Sequence, residues 1–430
     1  HTMFRAFIQR RSTLLVLAFL GVLFAQFSIS GTPATAATNQ ADIDQVVRQV
    51  LIDQGTNGWD AKYKGMLINW RRDDLSKVNC SSSSCDRRGH STRHDGQNDL
   101  RYLENLYWYK SRHPNDQSTD QHIAAILPTV KKGWGNTNLP KGWVYYILLR
   151  LARYSPESAY WNQAAQHWAA AQYQSLDQNL GVHHGRIVTS TGPDAITLKD
   201  AYRVDHALET GLALVDAGTR YHQSAWVKAG QREVDIVVRQ SFSNTYHLFN
   251  RIYLLSDSKY GSNKVIDHQA RLGEQGQELE ALVRTGIATN NQQYLNLAAQ
   301  MLDALQSQPI HDRQSGGFYF KMYLGTDQSN PAGSVSKGSK ETRQLHVLAS
   351  VHLANGALGN RWPALEQELT ALANTPNKLL APAPVPGYHY QQRADFSLTP
   401  CKKCSPNQTE NWVSAEADGI ALEALQTLLS

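Results

Sequence analysis

A helical hairpin recurs along this chain about every 67 residues, and that rhythm constrains the fold more than any other feature. Four short segments, Tyr160-Trp161, Ala225-Trp226, Tyr294-Leu295 and Arg361-Trp362, each open an outer helix. Their second members stand at 161, 226, 295 and 362, at intervals of 65, 69 and 67 residues. An amphipathic helix and a short polar loop precede each, and Ala/Leu-rich helical sequence follows. Units of this length bury their apolar faces on one another. The expected fold is all-α, a toroid of six helical hairpins, the (α/α)6 arrangement, whose centre is a natural place for a polar ligand.

The start of the chain reads as a targeting segment. His1-Thr2 ahead of Met3 reads as a cloning remnant. Arg5, Arg10 and Arg11 form a basic region, Leu14 to Phe27 is apolar, and Ala34-Thr35-Ala36 offers a small-x-small cleavage site. The pattern predicts a secretory signal peptide over 1–36 and an extracellular mature protein, with a retained membrane anchor as the rival. Residues 37–430 are then one (α/α)6 domain, free of the membrane once the signal is removed and expected to be a monomer. The net charge of +5 is modest and the basic residues are scattered, so no nucleic-acid partner is expected.

Four cysteines, Cys80, Cys85, Cys401 and Cys404, sit as two close pairs in polar loops. In an exported protein they read as disulfides, with three connectivities open. Crosswise pairing would staple the first hairpin to the last. A tetrathiolate zinc site and a C-x-x-C redox site are the rivals. His183-His184 has no further ligand at metal spacing, and Gly-x-Gly patterns lack a preceding strand, so neither metal nor cofactor is expected.

Apolar periodicity and breakers delimit twelve helices: 41–54, 95–112, 118–132, 141–154, 156–172, 198–219, 224–240, 274–288, 292–306, 340–355, 362–373 and 411–429. Segments 198–219 and 340–355 are apolar or small on most faces, as inner helices must be. Segments 224–240 and 362–373 keep a polar face, as outer ones should. The long connections 59–93, 175–197, 241–273, 308–339 and 375–410 all precede inner helices, so they gather on one rim. They hold hairpin-like pieces such as Gly316-Gly317-Phe318-Tyr319-Phe320. Loops gathered on one face of a rigid scaffold are where sites usually lie.

This pattern resembles the (α/α)6-barrel enzymes that act on sugars, in two groups: the N-acylglucosamine 2-epimerase/cellobiose epimerase superfamily and the six-hairpin glycosidases. The likeness spans nearly the whole mature chain as architecture. Locally it is closest to the epimerases: Gly276-Gln277-Glu278-Leu279-Glu280, then Tyr294-Leu295, then Gly316-Gly317-Phe318-Tyr319. In that group the position of Gln277 is normally a His of an acid–base pair, and glutamine exchanges no proton at neutral pH. The final inner helix also has Asn411-Trp412 near its start instead of the expected His.

Charged residues collect at the inner-helix starts: Arg93, His94, Asp95 and Asp99; Asp200, Arg203, Asp205, His206 and Glu209; Glu274, Glu278 and Glu280; Lys340, Glu341, Arg343 and His346; Glu410, Glu416 and Asp418. Carboxylates in a first turn are also ordinary helix caps, which accounts for Asp95, Asp200, Glu274, Glu341 and Glu410. Acids deeper in an inner helix need a wet cavity or a partner. Glycoside hydrolysis needs two carboxyls flanking the scissile bond. The preferred pair is Asp99 with Glu278 or Glu280, and Asp205 with His206 is the second. Asp95, Arg203, Trp143, Tyr202, Tyr319, Arg343 and Trp412 are the expected substrate contacts. Trp59, Trp70, Tyr388 and Tyr390 are further rim aromatics that can stack on sugar faces. The expected function is a secreted glycoside hydrolase acting on an oligo- or polysaccharide. An isomerase or lyase with His206 or His346 as base, and a non-catalytic glycan-binding protein, are the alternatives.

Overall fold

The computed structural model describes residues 40–72, 96–189, 195–326, 330–400 and 411–430. The leader 1–36, Arg93, His94, Asp95, Glu410 and all four cysteines lie outside the described residues. Twelve α-helices are present among the described residues: α1 (Gln40–Asn57), α2 (Gly96–Arg112), α3 (Asp120–Trp134), α4 (Gly142–Tyr154), α5 (Ser158–Ser175), α6 (Val204–Arg220), α7 (Ser224–Ser241), α8 (Leu272–Thr289), α9 (Gln292–Ser307), α10 (Leu345–Leu358), α11 (Pro363–Asn374) and α12 (Ala415–Leu429). None is long and apolar enough to cross a membrane.

The even-numbered helices form a closed ring. Each packs on the next, α2 on α4, α4 on α6, α6 on α8, α8 on α10, α10 on α12, and α12 returns to α2. The odd-numbered helices pack outside them, as α5 does on α4 and α7 on α6. Sequence explains the division. Fourteen residues of α6, from Val204 to Gly218, are buried, whereas α7 buries only one face, including Ala229, Gly230, Val234 and Val237. Between these two helices Gly211 and Gly230 let the backbones approach: a methyl on Gly230 would meet the Gly211 carbonyl oxygen and the Val215 amide.

The ring is joined by polar contacts between its last and first members. Arg101 Nη1 donates to Glu423 Oε1 at 2.5 Å, Arg112 Nη1 donates to the Leu429 carbonyl at 2.8 Å, and Gln426 donates to Asn105. This is the (α/α)6 toroid that the repeat predicts.

The strands lie in the long connections ahead of inner helices. Gly185–Val188, Thr197–Arg203, Ile252–Asp257 and Gly261–Asp267 make a four-stranded antiparallel sheet. Gln269–Arg271 pairs with Lys321–Tyr323, Ser339–Glu341 with Gln391–Arg393, and Trp412–Ser414 with Asn69–Arg71. Three helix starts therefore fall later than periodicity suggests. Residues 198–203 form a strand and α6 begins at Val204. Residues 339–341 are extended, 342–344 make one 3-10 turn, and α10 begins at Leu345. Residues 412–414 are a strand before α12. A strand running straight into a helix fixes the junction, and with it the side chains that the first helical turn points toward the axis.

Candidate active site

A polar cavity opens at the rim where the six inner helices begin. Its outer chamber, about 110 Å³, takes wall residues from every inner helix: Asn98 and Arg101 (α2), Trp143 (α4), Asp205 and His206 (α6), Gln277 (α8), His346 (α10), and Glu416 and Ile420 (α12). Arg203, Lys141 and Arg343, just ahead of their helices, line it too, with Ile68 and Gln97. Below lies an inner chamber of about 20 Å³, room for roughly one water. It shares Trp143, Gln277 and His346 with the outer chamber and adds Tyr146, Arg150, Glu209, Glu280, Arg284 and Glu423. The wall positions 143-146-150, 205-209, 277-280-284 and 416-420-423 are three and four residues apart, the spacing that stacks side chains down one helix face.

That phase decides which expected residues reach the cavity. Asp205, His206, Glu280, Arg203, Trp143 and Arg343 line it. Asp99 and Glu278 do not. Each is one residue out of phase with a wall residue, Asn98 and Gln277, so its side chain is turned about 100° away. Asp99 is buried and its Oδ1 accepts from the Met66 amide at 2.7 Å, tying the hairpin of Trp59–Asp60 and Gly65–Met66 to α2. Glu278 is 1 % exposed and its Oε2 has no protein partner. Burial, with the nearby charges of Asp205, Glu274 and Glu209, pushes this carboxyl well above its ordinary range, which favours its neutral form.

Three of the expected aromatic contacts also lie elsewhere. Tyr202 is buried in the rim sheet, stacked on Tyr253 at 5.4 Å, with its hydroxyl donating to Gln240 at 2.7 Å. Trp412 is 5 % exposed in the strand paired with Asn69–Arg71. Tyr319 sits beside Lys340, off the cavity wall. Trp70 and Tyr388 are core residues, bonded to Asp53 and to the Ala373 carbonyl. Aromatic type marks a rim residue poorly because large rings are the commonest core fillers as well.

Two imidazoles face the same chamber. His206 Nε2 is 3.6 Å from Asp205 Oδ2; burial in the cavity wall lowers its pKa to about 4 despite that carboxylate. His346 is 4 % exposed, and its Nδ1 stands 3.4 Å from Glu280 Oε2. Burial lowers its pKa too, the bond to Glu280 only partly opposing this. With the proton on Nδ1 toward Glu280, Nε2 carries the lone pair, and Nε2 has no protein partner. Both rings are neutral at pH 7.

The cavity carboxyls fall into two kinds. Asp205 receives Arg203 in a fork, Nε to Oδ1 at 3.0 Å and Nη2 to Oδ2 at 2.5 Å. Burial opposes its charge, but Arg203 and His206 overcome this and hold the carboxyl below the usual range. Glu280 accepts from Arg284 Nε at 2.6 Å, and Arg284 with His346 outweighs burial there in the same way. Glu209, one turn below Asp205, is the opposite case. Burial, then the charges of Asp205 and Glu280, push it well above its ordinary range, and its Oε2 is unpartnered. Gln277 accepts from Arg343 Nη2 at 2.9 Å and so positions a guanidinium whose own Nε makes no hydrogen bond and has Glu416 Oε1 at 3.9 Å. Buried polar atoms without a hydrogen-bond partner are uncommon, and here three belong to wall residues of one cavity: His346 Nε2, Glu209 Oε2 and Arg343 Nε.

Sequence reasoning passed over Arg101, Lys141, Arg150, Arg284 and Glu423 as wall residues. Arg101 lies over the Trp143 ring at 4.2 Å and bonds Glu423; Arg150 bonds Glu104 at 3.1 Å. The signal that finds them is the helical phase, once one wall residue per helix is known. His184, between Asp177 and Asp200, lies outside the cavity; among the described residues no group of three or more His, Cys, Asp or Glu is arranged to hold a metal.

No family model matches this chain, and no curated protein does. Solved structures do. The cellobiose 2-epimerase of Bacillus thermoamylovorans B4167 superposes with a TM-score of 0.63 at 9% identity, over 90% of this chain and 98% of that one. An unsaturated glucuronyl hydrolase specific for heparin gives 0.59 at 11% identity, over 90% and 97%. The GH76A α-1,6-mannanase of Salegentibacter sp. HEL1_6 gives 0.54 at 12% identity, over 90% and 100%. The chain has their fold. At this identity the likeness is one of architecture, and chemistry has to be argued from the cavity itself.

Proposed function

We propose that this protein is a carbohydrate-active enzyme that moves a proton on a sugar held in the axial cavity, as an isomerase or epimerase does. The supporting observation is the pair of neutral imidazoles, His346 and His206, on the wall of one chamber, each beside a carboxylate. In this reading His346 Nε2 takes a proton from the carbon next to the carbonyl of an open-chain sugar. Glu280 holds the ring in the required tautomer and stabilises the imidazolium that forms. The cationic groups Arg343, Arg101 and Lys141 face the oxygen on which negative charge develops. Return of the proton to the adjacent carbon gives the aldose–ketose isomer. Return to the same carbon from the opposite side, the role assigned to His206, gives the epimer. Trp143 supplies an apolar ring for a sugar face. The three neighbours described above, an epimerase and two hydrolases by name, support a sugar as the ligand.

The deciding experiment is incubation of a panel of aldoses, ketoses and disaccharides in deuterium oxide. Deuterium at the carbon next to the carbonyl of recovered sugar, lost in His346→Asn, is the expected result. Reducing ends released without deuterium would reject proton transfer in favour of hydrolysis. That second reading is favoured by Glu209, a carboxyl in the wall whose pKa burial raises, one turn from Asp205, whose pKa Arg203 lowers: an acid and a base of the kind that glycoside hydrolysis requires. Export through cleavage after 1–36 is part of the same proposal; the mass of the protein recovered from culture medium tests it.

A further inference from the structure

We propose a second ligand site at the end of the toroid opposite the active-site cavity, built for a small anion with an apolar body. A hollow of about 540 Å³ lies among the C-terminal halves of α4, α6, α8 and α10, the size and makeup of a small-molecule pocket. Its walls are apolar, with Leu149, Ile287 and Leu353 from three inner helices. Ile287 is 45 % exposed there, one of four large hydrophobic residues so exposed among the described residues. An apolar side chain left open in a concave surface is a contact area without an occupant.

Of the five charged residues that line this hollow four are arginines, Arg150, Arg153, Arg220 and Arg284, and the fifth is Asp216. Arg153 lies over the Tyr154 ring at 5.2 Å and meets no carboxylate among the described residues. Arg220 has Asp216 at 4.0 Å, the limit of an ion pair, and burial raises the pKa of Asp216, which weakens it as a counter-charge. Two guanidiniums with spare donors at the edge of an apolar hollow match a carboxylate, phosphate or sulfate head on an aromatic or aliphatic body. An uncharged sugar does not fit this description, because it carries no anionic head for the two guanidiniums. The site is also joined to the active-site cavity: Arg284 lines both the hollow and the inner chamber, and it donates to Glu280, the partner of His346.

The test is independent of any catalytic activity. Phenyl phosphate is titrated calorimetrically into the full chain, with inorganic phosphate and benzyl alcohol as separate arms for head and body. Saturable binding of phenyl phosphate, at least about tenfold tighter than either fragment and weakened about tenfold or more by Arg153→Gln with Arg220→Gln, is expected. Both arginines are exposed, so the double variant should keep the wild-type circular dichroism and melting temperature. Ile287→Glu, also at an exposed position, should weaken phenyl phosphate as well. Equal binding by wild type and the double variant, or no saturable binding of phenyl phosphate by the wild type, would overturn the proposal.

Discussion

At the scale of single residues, burial sets the protonation of His206, His346 and Glu209 in the cavity, whereas arginine partners keep Asp205 and Glu280 ionised against it. His206 and His346 are held neutral by it, so each accepts a proton at pH 7 but does so weakly. A base of lowered pKa loses activity only when pH falls well below its ordinary value of 6.5; the acid limb of kcat/KM should therefore lie below 6.5. His346→Asn should cost about 10²- to 10⁴-fold in kcat, the usual contribution of a positioned acid–base group. Glu278 provides the contrast. It lies off the cavity wall, and burial favours its neutral form, so Glu278→Gln should leave turnover within a few-fold of wild type. A large loss in kcat in that variant, with an unchanged melting temperature, would return Glu278 to the catalytic set.

At the scale of elements, close approach and buried imidazoles make separate demands on the helices and the rim. The α6–α7 contact is built on Gly211 and Gly230, and Gly230→Ala forces the helices apart. A loss of about 1–3 kcal/mol in urea unfolding is expected from such overpacking. Gly133 in α3 has open space around its Cα, and Gly133→Ala should instead stabilise by up to about 1 kcal/mol. In the rim, His389 donates from Nδ1 to the Trp412 carbonyl at 2.8 Å. Burial, helped by Arg72, lowers its pKa from 6.5 to about 4. A depressed folded-state pKa gives stability that is complete above pH 6.5 and is lost as pH falls toward 4, here about 2–3 kcal/mol. Buried acids with raised pKa, such as Asp418, act in the opposite sense over the same range. The quantity to measure is therefore the difference between wild type and His389→Asn from pH 7 to 4.5: the variant should lose less stability.

At the scale of the whole molecule, the toroid depends on the meeting of α12 with α2. Glu423 accepts from Arg101 at 2.5 Å and lies 3.6 Å from Arg150, so one carboxylate serves a buried and a part-buried guanidinium at the base of the cavity. Glu423→Ala leaves both without that charge, and a loss of about 3–5 kcal/mol is expected, read as a lowered midpoint in calorimetry. Glu423→Gln keeps the volume and an acceptor and should recover part of it. A variant that melts with wild type would mean that apolar packing, not this ion cluster, closes the ring.

The helix-pair rhythm marked by Trp161, Trp226, Leu295 and Trp362 determined the twelve helices, their inner and outer roles and the single rim of long connections, because burial of an apolar face is a local, periodic property of sequence. It also singled out Asp205, His206, Glu280 and His346 by residue type and depth. Sequence did not separate Gln277 from Glu278 or Asn98 from Asp99, since adjacent helix residues differ by about 100° and only the closed ring sets which of them meets the axis. Nor did it show that 198–203 is a strand, because one of its two partner strands, Ile252–Asp257, lies some 50 residues on. The protonation of Glu209 and of both imidazoles was likewise decided by tertiary structure, as it depends on exclusion of water and on charges brought together from different helices.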